Sequence, residues 1–305
     1  GVPSTERPAH MISMALRECF AGAPGPSYLE IPRDILDREV DASRAVIPQP
    51  GAFRASVRSL GDTADIERLA DILVRAERPV VLYGSQVWAA RAHEEAIDLA
   101  RGLDIPAYFN GASRGLLPPG DPHHFDRTRR EGFDKADVIV IVGTPFDFRM
   151  GYGKRLAQNA TLVQIDQDYR TVGKNRDIAL GLVGHPGAIL AAVLQAASGR
   201  IEQGARAKRR EWMQYLQGAE EAATAKLMPK FRDDSSPINP YRVAYEINEF
   251  LRDDTIYIGD GGDVVTISAQ AVRPRRPGQG MDPGALGSLG VGTGFAIAAG
   301  PAHPG

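Results

Sequence analysis

Asp137-Val138-Ile139-Val140-Ile141-Val142-Gly143 is the stretch on which the reading of this sequence turns. An unbroken β-branched run has no polar alternation, so both faces of such a strand need cover, as in a parallel sheet between helices. Working outward, Thr161-Leu162-Val163-Gln164-Ile165-Asp166 and Pro79-Val80-Val81-Leu82-Tyr83 read the same way, with shorter strands at Ile105-Pro106-Ala107-Tyr108 and Ala179-Leu180-Gly181-Leu182-Val183. Helices are expected between them: Ile66 to Ala76, where Ile66, Leu69, Ala70, Ile72 and Leu73 share a face; Ala89 to Arg101; and Pro186 to Ala197. Strands alternating with helices at this spacing predict an α/β fold with a doubly wound parallel sheet.

On either side the pattern weakens. Residues 7–21 have helical spacing, stopped by Gly22, Pro24, Gly25 and Pro26, and Ser27-Tyr28-Leu29-Glu30-Ile31 reads as a short strand. After 198 the chain is polar; Arg206, Lys208, Arg209 and Arg210 open what reads as a solvated connecting helix. A helix at Tyr241–Leu251 and a strand at Thr255–Ile258 then begin a new α/β unit. The expected layout is a first piece at 1–40, a linker at 41–62, a Rossmann-like central domain at 63–198, a linker helix at 199–236 and the start of a third domain at 237–305.

The chain has 305 residues, 43% hydrophobic and 24% charged, with net charge −2. So balanced a charge leaves no field to gather nucleic acid or an anionic membrane, and neither is an expected partner. Cys19 is the single cysteine, which excludes an internal disulfide and a multi-cysteine metal site. No apolar run reaches the roughly 20 residues of a transmembrane helix, and the start lacks a signal-peptide pattern; a cytoplasmic protein is expected. His93, His123, His124, His185 and His303 form no ligand pattern, and His123-His124 reads as a surface loop. The absence of an initiator methionine and the abrupt end at Gly300–Gly305 suggest that both ends are cut.

Two glycine-dense stretches carry the chemistry. Gly259-Asp260-Gly261-Gly262-Asp263 lies between a strand and a helix-like run, where backbone N–H groups suit a phosphate. Asp260 and Asp263 could assist a cation, and the plain alternative is an ordinary strand-to-helix joint. Gly284-Ala285-Leu286-Gly287-Ser288-Leu289-Gly290-Val291-Gly292-Thr293-Gly294 then opens an alanine-rich helix. Excluding Cβ so often allows backbone to approach a flat ligand or another helix.

In this order the motifs resemble thiamine-diphosphate enzymes. Gly25-Pro26-Ser27-Tyr28-Leu29-Glu30-Ile31-Pro32-Arg33-Asp34 is similar to the "GPVxLEIPxDV" end of their pyrimidine-binding domain. Arg78-Pro79-Val80-Val81-Leu82-Tyr83-Gly84 looks like the "RPVIxxG" opening of their central domain. Gly143-Thr144-Pro145-Phe146-Asp147-Phe148-Arg149 resembles the "GxRFDxR" stretch of acetohydroxyacid synthases. Ile165-Asp166-Gln167-Asp168 with Gly173-Lys174-Asn175-Arg176 is similar to "IDIDxxxxGKN". Met281 to Gly292 resembles the pyrophosphate-domain opening shared by acetohydroxyacid synthases, oxalyl-CoA decarboxylases and 2-hydroxyacyl-CoA lyases.

The resemblance implies thiamine diphosphate with Mg2+. Gly259, Asp260, Gly261 and Gly262 would lie by the diphosphate, Gly287 and Ser288 by the aminopyrimidine, and Leu289 under the thiazolium, with Gly290 also counted among the thiamine diphosphate contacts. In the central domain it implies FAD, or CoA or ADP. Gly84 and Ser85 would form a phosphate turn, Arg149 would touch phosphate or flavin, and Asp166 or Asp168 a ribose hydroxyl. The plain alternatives are capping or solvent exposure for the two acids, and for Arg149 a surface ion pair worth about 0–1 kcal/mol. The family's catalytic glutamate would precede Gly1 and its "GDG…N" metal motif would follow Gly305, so no catalytic or metal residue is assigned within the chain. The implied activity is C–C bond formation or cleavage beside a carbonyl, acetolactate synthase-like on a 2-keto acid. The alternative is a 2-hydroxyacyl-CoA lyase or oxalyl-CoA decarboxylase, and from another class a non-catalytic FAD- or nucleotide-binding protein. A homodimer or homotetramer is implied as well.

Overall fold

The computed structural model describes residues 1–53 and 57–303; residues 54–56, within the expected linker, and 304–305 lie outside the described residues. The chain forms two compact units, Gly1–Ser59 and Leu60–Gly305.

The first unit holds α1 (Pro8–Phe20), α2 (Arg33–Leu36) and a 3₁₀ turn at Ala42–Arg44. Pro8 opens α1 with a φ already suited to helix. The expected strand at 27–31 does not form a ladder. Its backbone makes one bond of the strand kind, Val2 N–H to Glu30 O at 2.9 Å, and Tyr28 is 87% exposed. An apolar run becomes a strand only where a second strand supplies partners.

In the second unit α3 (Thr63–Arg75) leads into β1 (Pro79–Tyr83), α4 (Ser85–Ala89), α5 (His93–Gly102) and β2 (Ala107–Phe109). Then follow α6 (Arg129–Lys135), β3 (Val138–Val142), β4 (Thr161–Asp166), β5 (Leu180–Val183) and α7 (Pro186–Ala197). The strands form one parallel sheet in the order β2-β1-β3-β4-β5. Central β1 and β3 are buried throughout, Pro79 opposite Val138 and Tyr83 opposite Val142. Val81, Tyr83, Val140 and Val142 point to α3, α5 and α7, whereas Val80, Leu82, Ile139 and Ile141 point to the other face. Helices thus cover both faces, and the fold is the doubly wound α/β sheet that the β-branched runs predict.

Two expectations need correction here. The single helix expected at Ala89–Arg101 is two, because Arg91 turns left-handed at φ 55° and ends α4 before α5 starts at His93. His123-His124 is tucked in rather than a surface loop: the His124 side chain is 10% exposed, with Nδ1 on Leu117 O (2.8 Å) and Nε2 on Asp126 (3.0 Å).

Helix α8 (Gln203–Phe231) is a larger correction. It is not a solvated connector: Trp212, Met213 and Leu216 pack with Phe133, Ile139 and Ile141 on the second face of the sheet. Arg209, read as part of a solvated basic stretch, is fully buried. Its guanidinium donates to the carbonyls of Leu73, Ala76 and Leu103, the residues that end α3 and α5. Helix ends leave carbonyls without intrahelical partners, so a buried cation finds acceptors there.

Beyond α8 come α9 (Pro240–Phe250), β6 (Tyr257–Ile258), α10 (Gly262–Ala271), β7 (Gly280–Met281) and α11 (Val291–Ala302). Strands β6 and β7 pair in parallel, which places the chain after each of them at the same edge. No helix among the described residues is long and apolar enough to cross a membrane.

Candidate functional site

Two places gather the residues singled out from the sequence. The first is the carboxyl edge of the five-stranded sheet, where the strand order reverses between β1 and β3 and connections leave in opposite directions. Gly84 and Ser85 lie there, but the floor is closed. A Cβ on Gly84 would stand 1.8 Å from Thr144 Oγ1 and 2.3 Å from Gly143 O. Packing between two strand ends therefore accounts for this glycine. Ser85 Oγ accepts the Ala112 N–H at 3.2 Å.

Beside it Asp166, at the end of β4, is fully buried. Its Oδ1 accepts from Gln86 Nε2 and from Asp168 N–H, each at 2.8 Å, while Gln167 N–H donates back to Gln86 Oε1 at 3.0 Å. Gln86, which the sequence reading did not single out, thus joins the β1 and β4 ends. Among the described residues, Asp166 Oδ2 and Gln167 Oε1 are buried with no hydrogen-bond partner. Two buried acceptors without donors favour a ligand bearing hydroxyl or amino hydrogens. Asp168, by contrast, pairs with Arg170 at 2.9 Å, and this guanidinium holds its carboxyl below the ordinary range.

Arg149 is held by Asp147 within its own turn, at 2.6 Å. It stands near a cation missed in the sequence, Arg129 at the start of α6. Burial, then the charges of Arg149 and Arg155, pull Arg129 down to about 10, and among the described residues it has no carboxylate ion pair. Arg129, Arg149 and Arg155 thus stand near one another, with Asp147 paired to Arg149. In the sequence Arg129 reads as one basic residue among Arg127, Arg129 and Arg130, with nothing to mark it as enclosed.

The second place is formed by the chain after β6 and β7. Asp260 joins the two glycine stretches: Oδ1 accepts Gly290 N–H at 3.0 Å and Oδ2 accepts Gly292 N–H at 2.8 Å. The carboxylate therefore caps α11, and both oxygens that could have assisted a cation are engaged. Gly292 N–H, with Gly290 N–H in support, holds the Asp260 carboxyl below the ordinary carboxylate range. Gly292 is crowded, its Cβ position 2.9 Å from Asp260 Cβ, but among the described residues nothing lies within 4 Å of a Cβ built on Gly261, Gly262, Gly287 or Gly290. Gly262 has no positive φ either, so neither turn geometry nor packing within this chain explains it. Gly259 is more confined, its Cβ position 3.1 Å from the Tyr257 hydroxyl. Ser288 is exposed beside Leu289, which stands 73% exposed between these open glycines. An open, glycine-lined space with an apolar side chain projecting beside it fits a flat ring with an anionic tail. Among the described residues no three His, Cys, Asp or Glu side chains converge as a metal site.

The cap makes a pH dependence. A carboxyl depressed in the folded state contributes stability above its unfolded value, and that contribution is lost as pH falls through the folded one. In an acid NMR titration the Gly290 and Gly292 amides are expected to shift with a midpoint below 3.8. Asp260→Asn removes that transition; amides that titrate unchanged in the variant would rule out the cap.

A doubly wound parallel sheet with unmatched polar groups at its carboxyl edge, followed by two open glycine turns joined by Asp260, defines the class as a Rossmann-like α/β fold. Residues 66–193 match the family "Thiamine pyrophosphate enzyme, central domain". The chain is 31% identical to 2-hydroxyacyl-CoA lyase 2 of Bos taurus over 321 residues, covering 93% of this chain and 50% of that protein. It is also 31% identical to acetolactate synthase large subunit IlvG of Mycobacterium tuberculosis over 305 residues, 99% of this chain and 53% of the relative. With 2-hydroxyacyl-CoA lyase 2 of Danio rerio it shares 34% identity over 246 residues, 77% of this chain and 38% of that protein. Over residues 66–193 the chain belongs to the family of thiamine pyrophosphate enzyme central domains, and it spans about half the length of these first two relatives.

Proposed function

We propose that the gene product bearing this chain makes or breaks C–C bonds beside a carbonyl with thiamine diphosphate, in the manner of an acetolactate synthase acting on a 2-keto acid. The observation that carries this reading is the open space over Gly261, Gly262, Gly287 and Gly290, with Asp260 holding the two stretches together and Leu289 projecting. Bound there, thiamine diphosphate supplies a carbon nucleophile and an electron sink. Gly261 and Gly262, opening α10, offer N–H groups to its diphosphate, with Mg2+ as counter-ion. Gly287 and Ser288 would offer backbone groups to the aminopyrimidine, and Leu289 would offer an apolar surface to the thiazolium.

The sheet edge takes an adenine nucleotide in this reading, FAD for a synthase. Asp166 Oδ2 and Gln167 Oε1 accept its hydroxyl or amino hydrogens, and Arg129, Arg149 and Arg155 face its phosphates. The same arginines suit CoA, which is the observation favouring a second reading as a 2-hydroxyacyl-CoA lyase. A cytoplasmic homodimer or homotetramer completes the proposal.

The test is pyruvate consumption and acetolactate formation by the full-length gene product with thiamine diphosphate, Mg2+ and FAD. Yellow protein with flavin absorbance and acetolactate favours the synthase, and colourless protein cleaving a 2-hydroxyacyl-CoA favours the lyase. Neither activity, with no thiamine diphosphate bound, would refute both. Leu289→Ala is expected to lower kcat by about 10- to 100-fold through misplacement of the reacting ring. Because Leu289 is 73% exposed, the melting temperature without cofactor should be unchanged. An unchanged kcat would remove Leu289 from the site.

A further inference from the structure

Helix α10 begins at the glycine turn Gly259–Gly262, yet what holds it lies at its other end. The residues of its first turn, Gly262, Asp263 and Val264, are exposed, and its buried residues are Ser268 and Ala271. Its sequence places no basic residue in the last turn, where the unpaired carbonyls and the negative end of the helix dipole call for one.

Three arginines supply that charge. Arg114, in the chain after β2, donates from Nη2 to Ala269 O at 3.3 Å and to Val272 O at 3.1 Å. Arg127, ahead of α6, donates from Nη2 to Gln270 O at 3.1 Å. Arg273, just past the helix, pairs with Asp126. All three are enclosed: Arg127 and Arg273 have side chains 14% and 16% exposed, and burial draws the Arg114 and Arg127 guanidiniums below their ordinary range.

The arginines are themselves anchored. Glu220 of α8 accepts N–H groups of Asp126, Arg127 and Thr128 and the Thr128 hydroxyl, all between 2.9 and 3.3 Å, and stands 3.9 Å from the Arg127 guanidinium. Asp126 also receives His124 at 3.0 Å. A rigid loop built on the five-stranded sheet thus grips the carboxyl end of α10.

We propose that Arg114 and Arg127 are positioning residues: gripping the C-terminal carbonyls of α10, they set where its N-terminal glycine turn stands relative to Gly287–Gly290. A helix of ten residues is rigid over about 15 Å, so slack at one end becomes displacement at the other. This rests on the thiamine-diphosphate reading of the turn. Neither residue touches the cofactor; both act through α10.

The test uses Arg114→Met, Arg127→Met and their Lys counterparts in the full-length gene product. Two readouts are needed. One is amide hydrogen exchange over 261–266 against β3 as internal reference. The other is the concentration of thiamine diphosphate, with Mg2+ in excess, that half-saturates the quenching of tryptophan fluorescence. Each Met variant is expected to speed exchange over 261–266 while leaving β3 unchanged, and to raise half-saturation about tenfold. The Lys variants, with one donor centre in place of a fork, fall between. Exchange that rises equally in β3 with half-saturation within twofold of wild type means ordinary destabilisation and overturns the proposal. Wild-type protein that binds no thiamine diphosphate overturns the cofactor reading itself. That outcome appears without any variant, so the two failures are distinct.

Discussion

Replacing Arg209 by Met should cost the Leu60–Gly305 unit about 3–5 kcal/mol, measured as a lower urea midpoint with an unchanged slope. The side chain is fully buried, and its three acceptors belong to Leu73, Ala76 and Leu103, themselves at most 3% exposed. Methionine fills much of the volume but donates nothing. The Ala76 and Leu103 carbonyls would then lose their donor, while Leu73 O keeps only the Ala76 N–H at 3.3 Å; each buried carbonyl left without a partner carries a penalty of about 1–3 kcal/mol before relaxation. Removing a buried cation also removes its own desolvation cost, so the net loss is smaller than the sum. Arg209→Lys keeps the charge but cannot reach three diverging carbonyls, and should fall between. A loss below about 1 kcal/mol for Arg209→Met would show that water reaches those carbonyls in the folded protein.

The second large effect is expected from a single methyl group. Gly84→Ala puts a Cβ 1.8 Å from Thr144 Oγ1 and 2.3 Å from Gly143 O. The hydroxyl can rotate away, but the carbonyl is backbone at the end of β3 and cannot. Relief requires the β1 and β3 ends to separate, where Gly84 N–H donates to Val142 O at 2.7 Å. Overpacking of this kind costs about 3 kcal/mol. The same movement carries Gln86 away from Asp166, which loosens the unmatched acceptors of the proposed nucleotide site. Gly84→Ala should therefore lower both the thermal midpoint and the affinity for the nucleotide. The control is Gly218→Ala on α8, where nothing lies within 4 Å of the added carbon. If Gly84→Ala melts with that control, the β1–β3 crevice is wider than described.

The sheet was readable because a buried parallel strand leaves a continuous apolar run: Val138–Val142 and Pro79–Tyr83 lie within a residue of their expected limits. The central helices were readable from the spacing of Ile66, Leu69, Ala70 and Leu73, all buried in α3. Periodicity does not report what a charged residue will meet. Arg209, Glu220 and Arg129 look like surface charges in sequence, and their partners lie far along the chain or in backbone carbonyls that no pattern displays. The break at Arg91 was hidden for a related reason, since a left-handed arginine has no compositional mark. As for the candidate site, both glycine stretches stood out on composition alone. Their meeting did not, because Asp260 reaches Gly290 and Gly292 across a gap filled by a helix and a strand.

Helix α8 has a last consequence. Near its start Arg209 and Trp212 seat it on the five-stranded sheet; midway Glu220 fixes the loop ahead of α6; at its end Phe231 sits with Ala244 and Ala271 in the core under α9 and α10. One continuous rod therefore splints the sheet to the glycine-bearing segment. Heat or denaturant cannot melt one and spare the other without snapping that rod, so the two share a single fate.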